Sequence, residues 1–387
     1  MTIDSIKSSL QDHFQTRFHK RGQVFYAPGR VNIIGEHTDY NHGFVMPMAI
    51  NKGTYITIAK REDNQLNIFS QNLSEAVSIE NINSFNALTG ENRWANYVAG
   101  VIYFLIQHCA LDGHTGADIY IYSNLPMGAG LSSSASLTIA VGYAYQAIYN
   151  LSCPKRRLAE LAQKVEHQFA GTLCGIMDQM VCALAKESHA LCLDCDTLTS
   201  EQVPCEFENL SFVICDSSVK HSLADSAYND RRASCELAAQ VCGEKTLREV
   251  TYDKLVSFGE KMPKESFFCA KHVITENQRV LEAKRAMRAE NWHAFGALMF
   301  ESHQSLQHDF RVSCDELDYL VELSKHFDGV YGARMTGGGF GGSTVALVED
   351  QRIDEYQEYI QSHYSHQFSL SPKLYTSRAC QGVRSLM

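Results

Sequence analysis

No stretch of this sequence approaches the roughly 18 uninterrupted apolar residues that a membrane-spanning helix requires, so no membrane span is expected. Prolines number only 7 in 387 residues, and long Gly/Ser or single-charge runs are missing, which argues against disordered tails or a flexible linker. A basic excess is missing too: 34 Lys and Arg face 44 Asp and Glu, for a formal charge of −10. Nucleic-acid binders ordinarily carry a basic excess or stripe, so nucleic acid is not expected as a partner. An anionic ligand would have to be held by backbone N–H groups and a few arginines, against the global field. The N-terminal stretch MTIDSIKSSLQDHFQTRF is polar and carries acids, unlike a signal or transit peptide, and the cytoplasm is the expected compartment. Zinc-ligand spacing is also lacking. The 13 cysteines are scattered, with Cys192 and Cys195 the one C-x-x-C pair and no second pair or histidine at finger spacing. Reduced, buried thiols are expected.

What is present is ordinary globular composition, 45% hydrophobic and 20% charged, over a length that exceeds one compact core. Two domains are expected, residues 1–200 and 201–387. Short β-branched and aromatic runs at 23–27, 54–59 and 66–70 predict strands, with 61–65 as a hairpin connection between the last two. Tyr97, Val98, Val101, Ile102 and Leu105 recur at helical spacing within 94–108. A strand at 117–122 then leads through a Gly/Ser-rich loop into an Ala-rich helix ending near 149. Further helices are expected at 155–169 and 176–186, and strands at 189–194 and 210–215. Long helices at 226–241, 268–289, 291–308 and 314–326 follow, and strands at 329–335 and 343–348 bracket a second Gly-rich loop. Strands and helices mixed in both halves predict an α+β fold rather than a doubly wound sheet.

Three segments concentrate chemistry. Residues 27–41, APGRVNIIGEHTDYN, pack one cation, two carboxylates, an imidazole and two amides into fifteen positions. Carboxylates and amides fix vicinal sugar hydroxyls, and Glu36, His37 and Asp39 are suitable groups, although the same residues also suit a solvated turn. Residues 125–136, LPMGAGLSSSAS, sit between a strand and a helix. Small residues there let the backbone approach closely, while free N–H groups and the helix dipole favour phosphate, and serine hydroxyls can reach magnesium. A merely well-capped helix would look similar. No lysine follows, so this is not the P-loop G-x-x-x-x-G-K-[ST]. Residues 337–342 hold five glycines in six positions, suited either to a close backbone approach or to a loose hairpin tip.

Together the three segments resemble the motifs of the GHMP small-molecule kinases, and GRVNIIGEHTDYN resembles specifically the galactokinase signature. The similarity extends along the chain through WANYV at 94–98, CGIMDQ at 174–179 and SAYNDRR at 226–232. The resemblance implies an N-terminal half like the second domain of ribosomal protein S5, a ferredoxin-like C-terminal half, and an active site in the cleft between them. The implied reaction is transfer of the γ-phosphate of ATP to the anomeric hydroxyl of galactose, with Mg2+, by a protein expected to be monomeric. Residue by residue, Asp178 matches the family's catalytic aspartate and Arg30 its partner. Glu36, His37, Asp39, Gly175 and Tyr228 match the sugar site, and Ser134 and Glu166 the magnesium-binding pair. Trp94 lies where the family approaches the adenine, and the loop Gly128, Ala129, Gly130, Leu131, Ser132, Ser133, Ser134 and Ala135 would cradle the triphosphate. Asp178 considered alone also suits a carboxylate serving a helix N-terminus.

Two departures stand out. His42 and Ala227 occupy positions where other residues are usual, and neither carries an assigned role. N-acetylgalactosamine kinases share much of the first motif, but their pattern resembles Glu-His-Ile-Asp-Tyr-Cys, whereas this chain has Thr38 and Asn41. Mevalonate and homoserine kinases share the serine loop without the long signature. A non-catalytic galactose and ATP sensor is the rival from another class, and such relatives have damaged phosphate loops. A nicotinamide enzyme is excluded because 337–342 lacks the G-x-G-x-x-G helix-start context.

Overall fold

The computed structural model describes residues 3–126, 128–219 and 224–386; Met127, within the serine loop, lies outside the described residues. In chain order the first half comprises α1 (Ile3–Phe18), β1 (Gln23–Ile34), β2 (Phe44–Lys60), β3 (Leu66–Ser70), β4 (Glu75–Ile79), α2 (Asn96–Cys109) and β5 (Ala117–Ser123). It continues through α3 (Ser133–Tyr149), α4 (Lys155–Val165), α5 (Met177–Leu184), β6 (His189–Asp194) and β7 (Thr199–Pro204). The second half comprises β8 (Leu210–Asp216), α6 (Ala224–Val241), α7 (Tyr252–Phe258), α8 (Lys264–Arg288), α9 (Trp292–Ser305) and α10 (Asp315–His326). It closes with β9 (Val330–Thr336), β10 (Ser343–Glu349), α11 (Ile353–Phe368), β11 (Lys373–Ser377) and β12 (Arg384–Ser385).

Among the described residues the strands form two sheets. The eight-stranded sheet runs β12-β1-β2-β5-β3-β4, with β6 pairing the start of β2 and β7 beyond it. The four-stranded antiparallel sheet runs β11-β8-β10-β9, which is the strand order of a βαββαβ ferredoxin-like unit. The fold is therefore two-domain α+β.

Residues 61–65 are not a hairpin connection. β5 lies between β2 and β3, antiparallel to one and parallel to the other. The polar side chains of the connection explain this. Arg61 pairs with Asp63 and reaches the buried Asp118 of β5 at 3.0 Å, while the Gly116 N–H donates to the Asp63 carbonyl at 2.8 Å. A buried carboxylate must be partnered, and the segment that partners Asp118 is drawn over the entry of β5. α1, α7, α11, β4, β7, β11 and β12 have no counterpart in the sequence periodicity. Among the described side chains of α1, Ile6, Leu10 and Phe14 are the buried ones, a stripe thin enough to be lost among polar neighbours.

The cores explain why the halves stay in register. One cluster lies between the first sheet and α2 to α5. A second is built jointly by Val31, Ile33 and Met46 of the first sheet and by Phe295, Met299 and Val345 of the second half. A shared apolar core of this kind resists relative domain motion. We propose that the domain division follows the change of sheet between Pro204 and Leu210, with β12 returning to pair with β1. Among the described residues no helix is long and apolar enough to cross a membrane.

Gly296 marks the closest approach of α9 to β9. A Cβ there would lie 1.9 Å from the Tyr331 carbonyl oxygen. Gly296→Ala should therefore destabilise the protein by about 1–3 kcal/mol or more, as overpacking does, and lower the urea midpoint. An unchanged midpoint would show that the helix can slide on the sheet.

Candidate active site

β1 does not run straight. Its pairing with β2 shifts register between Pro28 and Arg30 and again between Asn32 and Ile34, and bulges of this kind re-aim side chains. At Gly29 a Cβ would lie 2.7 Å from the Leu131 carbonyl, so only glycine lets the strand pass against the serine loop. The Arg30 N–H donates to that same carbonyl at 3.3 Å. The bulged strand delivers Arg30 to one side of a cleft, and the turn after it delivers Glu36, His37 and Asp39 to the other.

The cleft has a volume of about 350 Å³ and is lined by Arg30, Glu36, His37, Asp39, Gly175, Asp178 and Tyr228, together with the glycines 337–339. All seven sugar-site and catalytic residues matched in the sequence therefore meet in one cavity. Trp94 and the loop 128–135 do not line it. Trp94 is half-buried against the core of the first sheet, and its neighbour Arg93 reaches the cavity instead.

At the first turn of α5, Asp178 receives a bidentate pair from Arg30: Nε to Oδ1 at 2.7 Å and Nη2 to Oδ2 at 2.7 Å. Ser132 Oγ donates to Oδ2 at 2.5 Å. The remaining Arg30 nitrogen, Nη1, donates to the Gly130 carbonyl at 2.5 Å, tying the pair to the serine loop. Oδ2 thus has two donors and Oδ1 one, which leaves Oδ1 an open lone pair on a side chain still 27% exposed.

The serine loop is not simply a capped helix. Ser132, in left-handed backbone at φ 60°, makes no side-chain cap to α3, and its hydroxyl donates instead to Asp178. The first bond of the helical ladder runs from Ser136 N–H to Ser132 O at 3.0 Å. The N–H groups of residues 133–135 precede that ladder, and groups of this kind at a helix N-terminus suit an anion. The loop is also braced from the other sheet, since Ser343 Oγ donates to the Ala129 carbonyl at 2.7 Å.

Electrostatics set the side of the signature turn apart. Burial, and then the nearby Asp178, push the Asp39 carboxyl up to about 7. Gly175 lies so close to Asp39 that a Cβ would meet its Oδ2 at 1.8 Å. Burial holds His37 neutral, with its pKa pushed down to about 3; its Nδ1 bonds the Tyr40 hydroxyl at 2.8 Å and its ring packs on Phe310 and Tyr228. Glu36 is buried, and one of its oxygens accepts the Gly337 N–H at 2.7 Å. Beneath it, Glu276 accepts the Gly35 N–H at 2.8 Å and pairs with Arg279 at 2.6 Å. Burial alone would raise the Glu276 carboxyl, but Arg279, His272 and Arg334 hold it well below the usual carboxylate range.

Glu166, in the π-turn that ends α4, has its carboxyl pushed up to about 7 by burial and by Asp178, against hydrogen bonds from Ser134 and Tyr97. Ser134 and Glu166 therefore do meet. Among the described residues no group of three or more His, Cys, Asp or Glu side chains could hold a metal ion. One carboxylate plus one hydroxyl, completed by phosphate oxygens and water, is how magnesium is ordinarily bound. A divalent cation would also relieve the crowding of Glu166 and Asp178, so the donors fit that ion.

Sequence reasoning missed Ser132 as the partner of Asp178. It also missed the polar layer under Glu36, made of Asn32, Glu276, Ser302, Arg334 and Thr336. One signal was available: Arg334 is a lone charge in an otherwise apolar strand next to the glycine run.

Three family models match the chain: the galactokinase galactose-binding signature over residues 12–60, the GHMP kinases N terminal domain over 96–186 and the GHMP kinases C terminal over 283–366. The chain is 41% identical over 385 residues to a protein named galactokinase from Pasteurella multocida, covering 97% of this chain and 98% of that one. It is 39% identical over 386 residues to one of the same name from Glaesserella parasuis, covering 99% of each. Its structure is similar to that of Lactococcus lactis galactokinase complexed with galactose, at 32% identity and a TM-score of 0.93, covering 98% of this chain and 100% of the other.

The raised carboxyls give a pH dependence with a definite sign. A folded-state pKa above the unfolded value means that the group opposes folding as pH rises from its ordinary value to about 7, with a constant cost beyond. Asp39→Asn and Glu166→Gln should therefore raise the melting temperature of the ligand-free protein at pH 8, with the gain fading towards pH 4. A gain equal at both pH values would rule out the titration as its cause.

Proposed function

We infer the roles of these residues from the premise that the chain belongs to the galactokinase family of the GHMP kinases. It is an ATP-dependent sugar kinase, transferring the γ-phosphate of ATP to the anomeric hydroxyl of α-D-galactose to give galactose 1-phosphate and ADP. The observation that carries the assignment of roles is the Asp178 carboxylate, locked by Arg30 and Ser132 with Oδ1 left open beside the sugar-side groups.

A sugar hydroxyl is far too weak an acid for a carboxylate to ionise it in the ground state. In a loose phosphoryl-transfer transition state the proton need leave only as the new bond forms. Asp178 Oδ1 orients the anomeric hydroxyl and takes its proton late, while the anomeric oxygen bonds to the γ-phosphorus and the bond to the bridging oxygen of ADP breaks. Arg30 holds the carboxylate in place and offsets charge on the moving phosphoryl group. Glu36, His37, Asp39, Gly175 and Tyr228 bind the sugar, the neutral His37 acting as a hydrogen-bonding group rather than a charge. The N–H groups of the 128–135 loop hold the triphosphate, and Trp94 flanks the adenine. Ser134 and Glu166 would hold magnesium, which when bound would supply charge neutralisation to the outer phosphates. The same reading makes the protein a monomer acting in the cytoplasm.

The direct test is ADP release with MgATP and a panel of galactose, N-acetylgalactosamine, glucose and mevalonate, with phosphorus NMR on the product. Turnover with galactose and an anomeric phosphate is expected; galactose binding without turnover would instead indicate a sensor. Asp178→Asn should lower kcat by about 10²–10⁴, the usual worth of a general base, with galactose affinity within a few-fold. Retained turnover would remove the base role. Glu166→Gln should raise the magnesium concentration needed for half-maximal rate, and an unchanged requirement would place the ion elsewhere.

A further inference from the structure

Glu36 enters the cleft from the first half of the chain, but its carboxylate is held largely by the second. Oε1 accepts the Gly337 N–H at 2.7 Å and lies 3.1 Å from Thr336 Oγ1, with Arg334 Nη1 at 3.5 Å. Among the described residues Oε2 accepts a single hydrogen bond, from Asn32 Nδ2 at 3.0 Å. A carboxylate oxygen offers two lone pairs. Oε1 is therefore full, and Oε2 keeps one open.

The Thr336 hydroxyl has one proton and two acceptors within reach, Glu36 Oε1 and the Asn32 carbonyl at 3.0 Å. That carbonyl already accepts Arg334 Nη1 at 3.0 Å, and Thr336 Oγ1 itself accepts the Asn32 N–H at 3.2 Å. The carbonyl thus has a donor of its own, and a carboxylate is the stronger acceptor of the two, so the Thr336 proton goes to Glu36. Thr336 is the last residue of β9, is fully buried, and is paired there with Ser343 of β10, so its hydroxyl is fixed by a sheet rather than by a loop.

We propose that Thr336 is a positioning residue for sugar recognition: by occupying Oε1 it fixes the Glu36 carboxylate so that Oε2 alone faces the ligand and accepts one sugar hydroxyl. This rests on the assignment of Glu36 to the sugar site. The terminal torsion of a glutamate is soft, so without the hydroxyl the carboxylate, still held at Oε1 by the Gly337 N–H, can tilt about that contact, and its open lone pair no longer points at one hydroxyl position. The acceptor for the sugar is thus set by the second sheet, although it stands on the first.

Steady-state kinetics on the full-length protein test this, with galactose and each monodeoxygalactose as substrates and melting temperature as a control. Thr336→Val should raise KM for galactose about tenfold, the worth of one hydrogen bond to a charged group, with kcat and KM for ATP changed far less. Thr336→Ala, which removes the hydroxyl without adding a methyl, should behave alike, and Thr336→Ser should restore the wild-type KM. One monodeoxygalactose should lose affinity in the wild type yet be indifferent to both Thr336→Val and Glu36→Ala, because the hydroxyl they act through is gone.

A wild-type KM for galactose in Thr336→Val and Thr336→Ala, beside a raised KM in Glu36→Ala, would overturn the inference and leave Glu36 in the sugar site. An unchanged KM in Glu36→Ala would overturn the role of Glu36 itself. A parallel fall of kcat, both KM terms and melting temperature, not rescued by serine, would reduce Thr336 to a structural role and also overturn it.

Discussion

A carboxylate taken out of water is tolerated only where donors or counter-charges replace the solvent, and in this chain that constraint bears on Glu36, Asp178 and Glu276 together. Glu276 is buried in α8 and is satisfied by Arg279, Ser302 and the backbone N–H of Gly35. That last contact pins the start of the signature turn to the second half of the chain. Glu36 follows immediately and is satisfied by Thr336 and Gly337, again from the other half. Asp178 is satisfied by Arg30 from the bulged strand and Ser132 from the serine loop. Loss of any one partner would leave a charge uncompensated, so the two sheets, the signature turn and α5 are bound to one arrangement.

The glycines serve this arrangement through close approach rather than through flexibility. Gly29 lets β1 pass the Leu131 carbonyl, and Gly175 lets the loop before α5 lie directly on Asp39. Gly337 sits at φ 87°, presents its N–H to Glu36 and faces the Gly130 carbonyl, where a Cβ would lie at 3.3 Å. The late glycine run is therefore a contact surface between the signature turn and the serine loop. It is not a loose hairpin tip.

The two sides of the cleft also differ in charge. On the side of the signature turn His37 is held neutral and the Asp39 carboxyl is pushed up to about 7. On the side of the serine loop Arg30 and the first-turn N–H groups of α3 supply positive potential within a protein of net charge −10. A field that suits an anion is therefore local, as the global charge requires.

Much of this was legible in the residue pattern. Polar side chains packed beside apolar ones at 27–41, serines at a strand-to-helix junction and a dense glycine run each have a local physical meaning, and family resemblance joined them into one site. Strand and helix periodicity placed most elements because burial on one face leaves a period that a single sequence can show. It misplaced the 61–65 connection, because which strand lies beside β2 depends on where Asp118 finds its partner, a contact between distant segments. The contact of Ser132 with Asp178, and the parts played by Thr336 and Arg334, escaped notice for the same reason. Their meaning lies in the atoms they touch, 46 and 300 positions away for the first two. The sequence by itself determined which groups were available and roughly which elements carry them, since composition and local periodicity are properties of neighbouring residues. Only the tertiary structure decided which oxygen of Glu36 and of Asp178 remains open, because hydrogen-bond saturation is settled by partners that folding brings together from far along the chain.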